Sequence, residues 1–102
     1  MSDTDRMPKA YVICDIDVTD PEEYAAYREL STAAGEKYGA TYLVRGGATT
    51  VLEGDWAPGR LVILEFEDAA AAQRWYDSPE YTAARDVRQR SATSSFLLAE
   101  GA

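Results

Sequence analysis

Few of the residue types that ordinarily carry acid–base, nucleophilic or metal chemistry occur in this chain. It has no histidine and a single cysteine, Cys14, in 102 residues. Without an imidazole there is no histidine general base, no histidine ligand for haem and no usual zinc site. No Asp-x-Asp-x-Asp-Gly loop offers a calcium site either, so neither metal nor cofactor is expected. Carboxylates, guanidinium groups and phenols remain. Asp15 and Arg45 form the first candidate constellation, with Arg45 gripping a carboxylate through two parallel hydrogen bonds and Asp15 serving as acid or base. Tyr27, Arg28, Tyr42 and Trp75 form a second, substrate-binding set: hydroxyls at the wall of a cleft, an indole at its floor and a guanidinium at its mouth.

Each set has a plain structural reading beside the functional one. Asp15, Asp17, Arg45 and Arg60 neutralise one another at a dimer edge, and the aromatic residues fill core volume while their polar tips bond to backbone. Glu65 is a third carboxylate to weigh, for acid–base work or for a contact at its strand's exit. Antiparallel pairing leaves it roughly 10 Å from Asp15 at about 3.4 Å per residue, too far for a two-carboxylate dyad. Gly46-Gly47 lacks the further glycines or the Lys-Ser/Thr of a phosphate loop and is expected to permit a bulge or bend. Cys14 reads as a small buried hydrophobe. Trp56, on a turn-rich loop, reads as a partner contact or a lid.

These side chains need a frame, and the stretch from Arg60 to Tyr81 sets it. Arg60 to Phe66 is apolar on both alternating faces, so the strand needs cover on both. A helix from Asp68 to about Tyr76 follows, with Ala69, Ala72, Trp75 and Tyr76 inward. Ser78-Pro79 then restarts a helix by N-capping, with Tyr81, Ala84 and Val87 on its apolar edge and Arg85, Arg88 and Arg90 on its basic one. Upstream, Lys9 to Val18 alternates as a strand: Val12, Cys14, Ile16 and Val18 on one face, Tyr11, Ile13, Asp15 and Asp17 on the other. Asp20-Pro21-Glu22-Glu23 starts a helix with a cap, a first-position proline and acidic groups suited to the helix dipole. Its stripe is Tyr24, Tyr27, Leu30, Ala34 and Tyr38, and Gly39 ends it. Ala40 to Arg45 is a second strand, Thr49 to Glu53 a small extra strand or extended arm, and Ser94 to Ala99 the last strand. Residues 1–8 are expected to be a disordered arm ahead of a single domain over 9–102.

Two right-handed split β-α-β units interleave into a four-stranded antiparallel sheet of order 4-1-3-2 with two helices on one face, a ferredoxin-like α+β sandwich. The bare face, carrying Tyr11, Ile13, Leu61 and Ile63, predicts a homodimer in which a second copy lays its sheet against the first to form a dimeric α+β barrel. The alternative is a monomer whose loop 46–59 folds over the sheet. The net charge of -8 argues against nucleic acid or an anionic membrane as partner. With no long apolar run and no disulfide available, a cytoplasmic protein is expected.

Asp20-Pro21-x-x-Tyr24-x-x-Tyr27-Arg28, Tyr42-Leu43-Val44-Arg45-Gly46-Gly47, Leu52-Glu53-Gly54-Asp55-Trp56, Pro58, Arg60, Glu65-Phe66, Trp75-Tyr76-x-Ser78-Pro79-Glu80-Tyr81 and Arg88 together make a pattern that resembles the domain of unknown function 1330 family, from about Ala10 to Gly101. The resemblance implies the dimeric α+β-barrel superfamily, which holds cofactor-free monooxygenases, muconolactone-isomerase-like enzymes, haem-handling enzymes and stress-related barrels. Haem-handling relatives use a histidine ligand, and this chain has none. Three functions follow as expectations: a cofactor-independent enzyme acting on a small organic acid, phenol or lactone; a non-catalytic small-ligand-binding or stress-response dimer; or a purely structural dimer with a filled interior, which an absent cavity would favour.

Overall fold

The computed structural model describes residues 7–102; most of the arm expected over 1–8 lies outside the described residues. Seven elements follow in order: β1 (Ala10–Val18), α1 (Pro21–Tyr38), β2 (Thr41–Arg45), β3 (Arg60–Phe66), α2 (Ala69–Asp77), α3 (Pro79–Ser91) and β4 (Ala92–Glu100). The strands form one sheet of order β2-β3-β1-β4, every neighbouring pair antiparallel. This is the expected ferredoxin-like order read from the other edge.

Local chemistry sets the helix ends. The Asp20 carboxylate accepts from the Glu23 amide at 3.2 Å, and Pro21 follows at the first helical turn, where its missing N–H costs nothing. Gly39 closes α1 at φ 80, a left-handed conformation that favours glycine. Ser78 serves two helices at once. Its amide and hydroxyl donate to the Trp75 carbonyl at 3.2 and 2.7 Å, and its hydroxyl accepts from the Tyr81 amide at 3.0 Å. A single serine thus closes α2 and opens α3, so the second crossover is a broken pair of helices and the helical layer has three members.

One face of the sheet meets that layer. Val12, Cys14 and Ile16 from β1 and Val62, Leu64 and Phe66 from β3 pack against Tyr24, Tyr27, Trp75 and Tyr81. In α1 the buried stripe runs Tyr24, Tyr27, Ser31, Ala34; Leu30, expected inside, is exposed. Thr49 to Glu53 forms no strand. On the other face, Val44, Ile63, Ile13 and Leu97 stand in register across all four strands, and Leu97 is 61% exposed. Loop 46–59 reaches only one end of that face, where Leu61 borders a hollow with Val51, Leu52 and Trp56.

Candidate functional site

A cavity lies between α1 and the helix-facing side of the sheet. Tyr24, Tyr27, Arg28 and Ser31 of α1, Tyr42 and Arg45 of β2, and Arg60 of β3 border it, with Trp75 and Phe96 beneath. Its lining contains three arginines and no carboxylate. In a chain of net charge -8, that concentration of positive charge calls for explanation. Among the described residues, no carboxylate lies within ion-pair distance of Arg28, Arg45 or Arg60.

Arg45 reaches the cavity through an irregularity in β2. Strict alternation would send Tyr42 and Arg45 to opposite faces. The pairing with β3 shifts between Tyr42 and Val44, so Tyr42 pairs with Leu64, Val44 with Ile63 and Arg45 with Val62. Leu43 is the extra residue, and the bulge turns Arg45 to the same face as Tyr42. The Arg45 guanidinium then stacks 4.2 Å from the Tyr42 ring centre and donates to the Thr32 hydroxyl. Thr32 in turn donates to the Arg28 carbonyl at 2.7 Å. Arg28 and Arg45 also border an open groove of about 530 Å³ along the outer side of α1. They therefore stand between the interior and solvent.

The enclosed space itself is small, about 20 Å³, room for the centre of roughly one water molecule. A larger occupant must displace the side chains that line it. Gly46 makes the close packing of Arg60 possible. It sits at φ 74, and a Cβ there would lie 2.3 Å from Arg60 Nη1. Arg60 Nε and Trp75 Nε1 are buried and have no hydrogen-bond acceptor among the described residues.

Behind Tyr27 lies a second, deeper layer. The Tyr27 and Tyr81 hydroxyl oxygens are 2.8 Å apart, and Arg88 Nη1 donates to Tyr81 Oη at 2.5 Å. Arg88 is 5% exposed, and its guanidinium packs 4.0 Å from the centre of the Phe96 ring. No carboxylate is paired with it among the described residues. Burial pushes the Tyr27 phenol up to about 12, against the pull of Tyr81 and Arg88, and pushes Tyr81 higher still. The Cys14 thiol, buried on the cavity wall, is raised to about 12 for the same reason. Both phenols and the thiol therefore stay protonated at neutral pH. The lining offers hydrogen-bond donors and positive charge, and no base.

Of the candidate residues, Arg45, Tyr27, Arg28, Tyr42 and Trp75 meet at this cavity, and Asp15 does not. Asp15, Asp17, Arg45 and Arg60 do share one end of the sheet, since Asp15 pairs with Leu61 and Ile16 with Arg60. Strand alternation, however, sends the two aspartates to the face away from the helices. There Asp15 accepts from Trp56 Nε1 at 2.8 Å and from the Gly59 amide at 3.0 Å, which fastens loop 46–59 to the sheet. Glu65 also lies on that face. It pairs in register with Tyr11 and contacts Lys9 at 3.5 Å. Sequence reasoning missed Tyr81 and Arg88 as part of the site. The signal was there: Tyr81, Ala84, Arg88 and Ser91 recur at the spacing of one helical face, and all four are buried.

The chain belongs to the DUF1330 family, a domain of unknown function, whose sequence pattern matches residues 9–102. Among curated proteins, no sequence matches it. Among solved structures, it is similar to the RPA0582 protein of unknown function from Rhodopseudomonas palustris, with a TM-score of 0.74, 22% identity, and 95% of this chain and 85% of that one covered. It is also similar to SnoaB, a cofactor-independent oxygenase from Streptomyces nogalater (TM-score 0.62, 15% identity, 93% and 94% covered). A third is a dimeric protein of unknown function with a ferredoxin-like fold from Bacteroides fragilis (TM-score 0.55, 14% identity, 91% and 96% covered). At these identities the likeness establishes the fold. Among the described residues, no helix is long and apolar enough to cross a membrane, and no group of His, Cys, Asp and Glu has the makings of a metal site.

Proposed function

We propose that the α1–sheet cavity receives a small organic acid or phenol as its anion, and that the protein acts on it as a cofactor-independent enzyme. One observation carries the reading: three arginines, Tyr24, Tyr27, Tyr42 and Trp75, whose indole N–H has no partner among the described residues, line one cavity that no carboxylate borders. Arg28 and Arg45 hold the charged group at the mouth, and Trp75 and Phe96 accept an apolar body. Entry breaks the Arg45 contacts to Thr32 and Tyr42, which gates the cavity. With no base in the lining, the ligand arrives already ionised and the protein's contribution is orientation, charge stabilisation and exclusion of water. SnoaB, of similar fold, is a cofactor-independent oxygenase, which supports cofactor-free chemistry on this scaffold. Asp15 is left out of this site because it serves the opposite face.

The absence of a base also favours a second reading, a non-catalytic binding protein for the same class of ligand. Calorimetry with benzoate and salicylate, with benzylamine as the cationic control, tests both. Arg45→Ala should weaken anion binding roughly 10- to 100-fold, the value of a charged hydrogen bond; unchanged affinity removes Arg45 from the site. Mass spectrometry of each bound acid or phenol after aerobic incubation then separates enzyme from binder.

The same reading includes a homodimer. The Val44–Ile63–Ile13–Leu97 row and the exposed Leu52 and Trp56 leave an apolar surface that the helices do not cover, and a two-fold copy matches it with itself. The dimeric Bacteroides fragilis neighbour supports this. Sedimentation of the protein and of Ile63→Lys decides it: a wild-type monomer at micromolar concentration refutes the dimer.

A further inference from the structure

The Arg88–Tyr81–Tyr27 chain has a direction that its chemistry dictates. A guanidinium carries only donors, so at the Arg88–Tyr81 contact the Tyr81 oxygen must accept. Two arrangements of the remaining hydroxyl protons are then possible. In one, Tyr27 also donates to Tyr81, which leaves the Tyr81 proton without a partner in a residue that is 0% exposed. A buried donor left unpaired carries a free-energy penalty. In the other, Tyr81 donates to Tyr27, and the unpaired hydroxyl proton moves from Tyr81, 0% exposed, to Tyr27, 6% exposed. The proton left over is then the one on Tyr27, and Tyr27 borders the cavity.

We infer that Arg88 and Tyr81 are positioning residues that fix the Tyr27 hydroxyl as a hydrogen-bond donor toward the cavity, so that the buried end of the ligand is an acceptor oxygen. This rests on the proposed anion-binding role and deepens it. Arg88 polarises the chain from behind, since a donor whose oxygen already accepts from a charged chain is a stronger donor. The Trp75 indole N–H, also without an acceptor and on the same cavity lining, is a second neutral donor for such an oxygen. The ligand class narrows accordingly to a carboxylate, or an ionised phenol, seated oxygen-first on neutral donors; an alkyl ammonium or a hydrocarbon is excluded.

Benzoate binding by calorimetry on the full chain reads the chain through its variants. Tyr27→Phe should weaken binding about tenfold, the loss of one hydrogen bond to a charged oxygen. Tyr81→Phe should weaken it about threefold although its hydroxyl lies behind Tyr27, because the relayed polarisation is lost. The double variant should bind as Tyr27→Phe does, since nothing behind Tyr27 matters once its hydroxyl is gone. A double variant weakened by the product of the single losses overturns the proposal, and so does Tyr81→Phe with wild-type affinity. Arg88→Lys, which retains a donor to Tyr81, should stay within about threefold of wild type.

Proton NMR of the slowly exchanging hydroxyls supplies a ligand-free arm. A Tyr81 hydroxyl proton lying between the two phenol oxygens upholds the order; a Tyr27 proton in that place overturns it. If the wild-type chain binds no benzoate, the anion-binding reading fails, and this NMR arm still decides the direction of the chain by itself.

Discussion

Replacing Arg88 with methionine tests the energetics on which the site depends. The side chain is buried, its charge has no carboxylate partner among the described residues, and Nε has no acceptor. Its compensation is one hydrogen bond to Tyr81 and the face of Phe96. A charged hydrogen bond contributes about 1.5–3 kcal/mol, and a desolvated cation–π contact about 2 kcal/mol. Against these stands a desolvation cost of several kcal/mol for the buried ion. The terms nearly cancel. Methionine is close in length and fills irregular space well. Arg88→Met should therefore change folding stability by less than about 1 kcal/mol, and the melting temperature by less than roughly 8 °C for a domain of this size. Urea unfolding followed by circular dichroism, at one fixed protein concentration so that dimerisation does not shift the midpoint, measures it. A loss above about 3 kcal/mol is what removing one partner of a buried ion pair produces. That result would refute the claim that the cation is unpaired, and with it the argument that Arg88 serves the site more than the fold.

Three other outcomes follow from named contacts. Glu80 accepts from Lys37 and from the Tyr38 hydroxyl, tying α1 to the start of α3, and its carboxyl is held down to about 2 from an ordinary 4.5, chiefly by Lys37. A lowered folded value means the contribution is present above pH 4.5 and fades as pH falls toward 2, so Glu80→Gln should lower stability at neutral pH, flatten the acid limb of the stability curve in that window and match the wild type near pH 2. Asp15→Asn should loosen loop 46–59 and shift Trp56 fluorescence to the red, with benzoate affinity unchanged; a lost affinity would return Asp15 to the site. Gly46→Ala should cost about 1–2 kcal/mol in urea unfolding, since alanine at positive φ is strained, and should weaken benzoate binding because its methyl group displaces Arg60.

The frame was legible because its signals are local. Alternation in β1 separates Val12, Cys14 and Ile16 from Tyr11, Ile13 and Asp15 without reference to any other strand, and the caps at Asp20, Gly39 and Ser78 each act within a few residues. With those ends in place, chain direction and right-handed crossovers leave few sheet orders to choose among. The site was only half legible, because it depends on which side of the sheet a strand presents. Alternation shows that Asp15 and Cys14 differ in face; it does not say which face Arg45 shares. That is decided by the bulge at Leu43, and leucine in a strand carries no mark of a bulge. The glycines at Gly46 and Gly47, which do carry such a mark, instead turn the chain after the strand has ended.

Arg88 was misread for the opposite reason. A charged residue beside Arg85 and Arg90 looks like one more member of a solvated face, and the neighbouring Val87 looks like the inward position. Helical spacing from Tyr81 points to Arg88, while residue type points to Val87. The fold follows the spacing: Arg88 is buried and Val87 only partly so. Where position and residue type disagree inside a core, the odd residue has to be accommodated by its neighbours, and here two phenols and a phenyl ring do so. Such a conflict is uncommon in a scaffold selected only to fold. Its place directly behind a cavity lined by three arginines favours the proposed anion site at the α1–sheet cavity over one at the Asp15 end of the sheet.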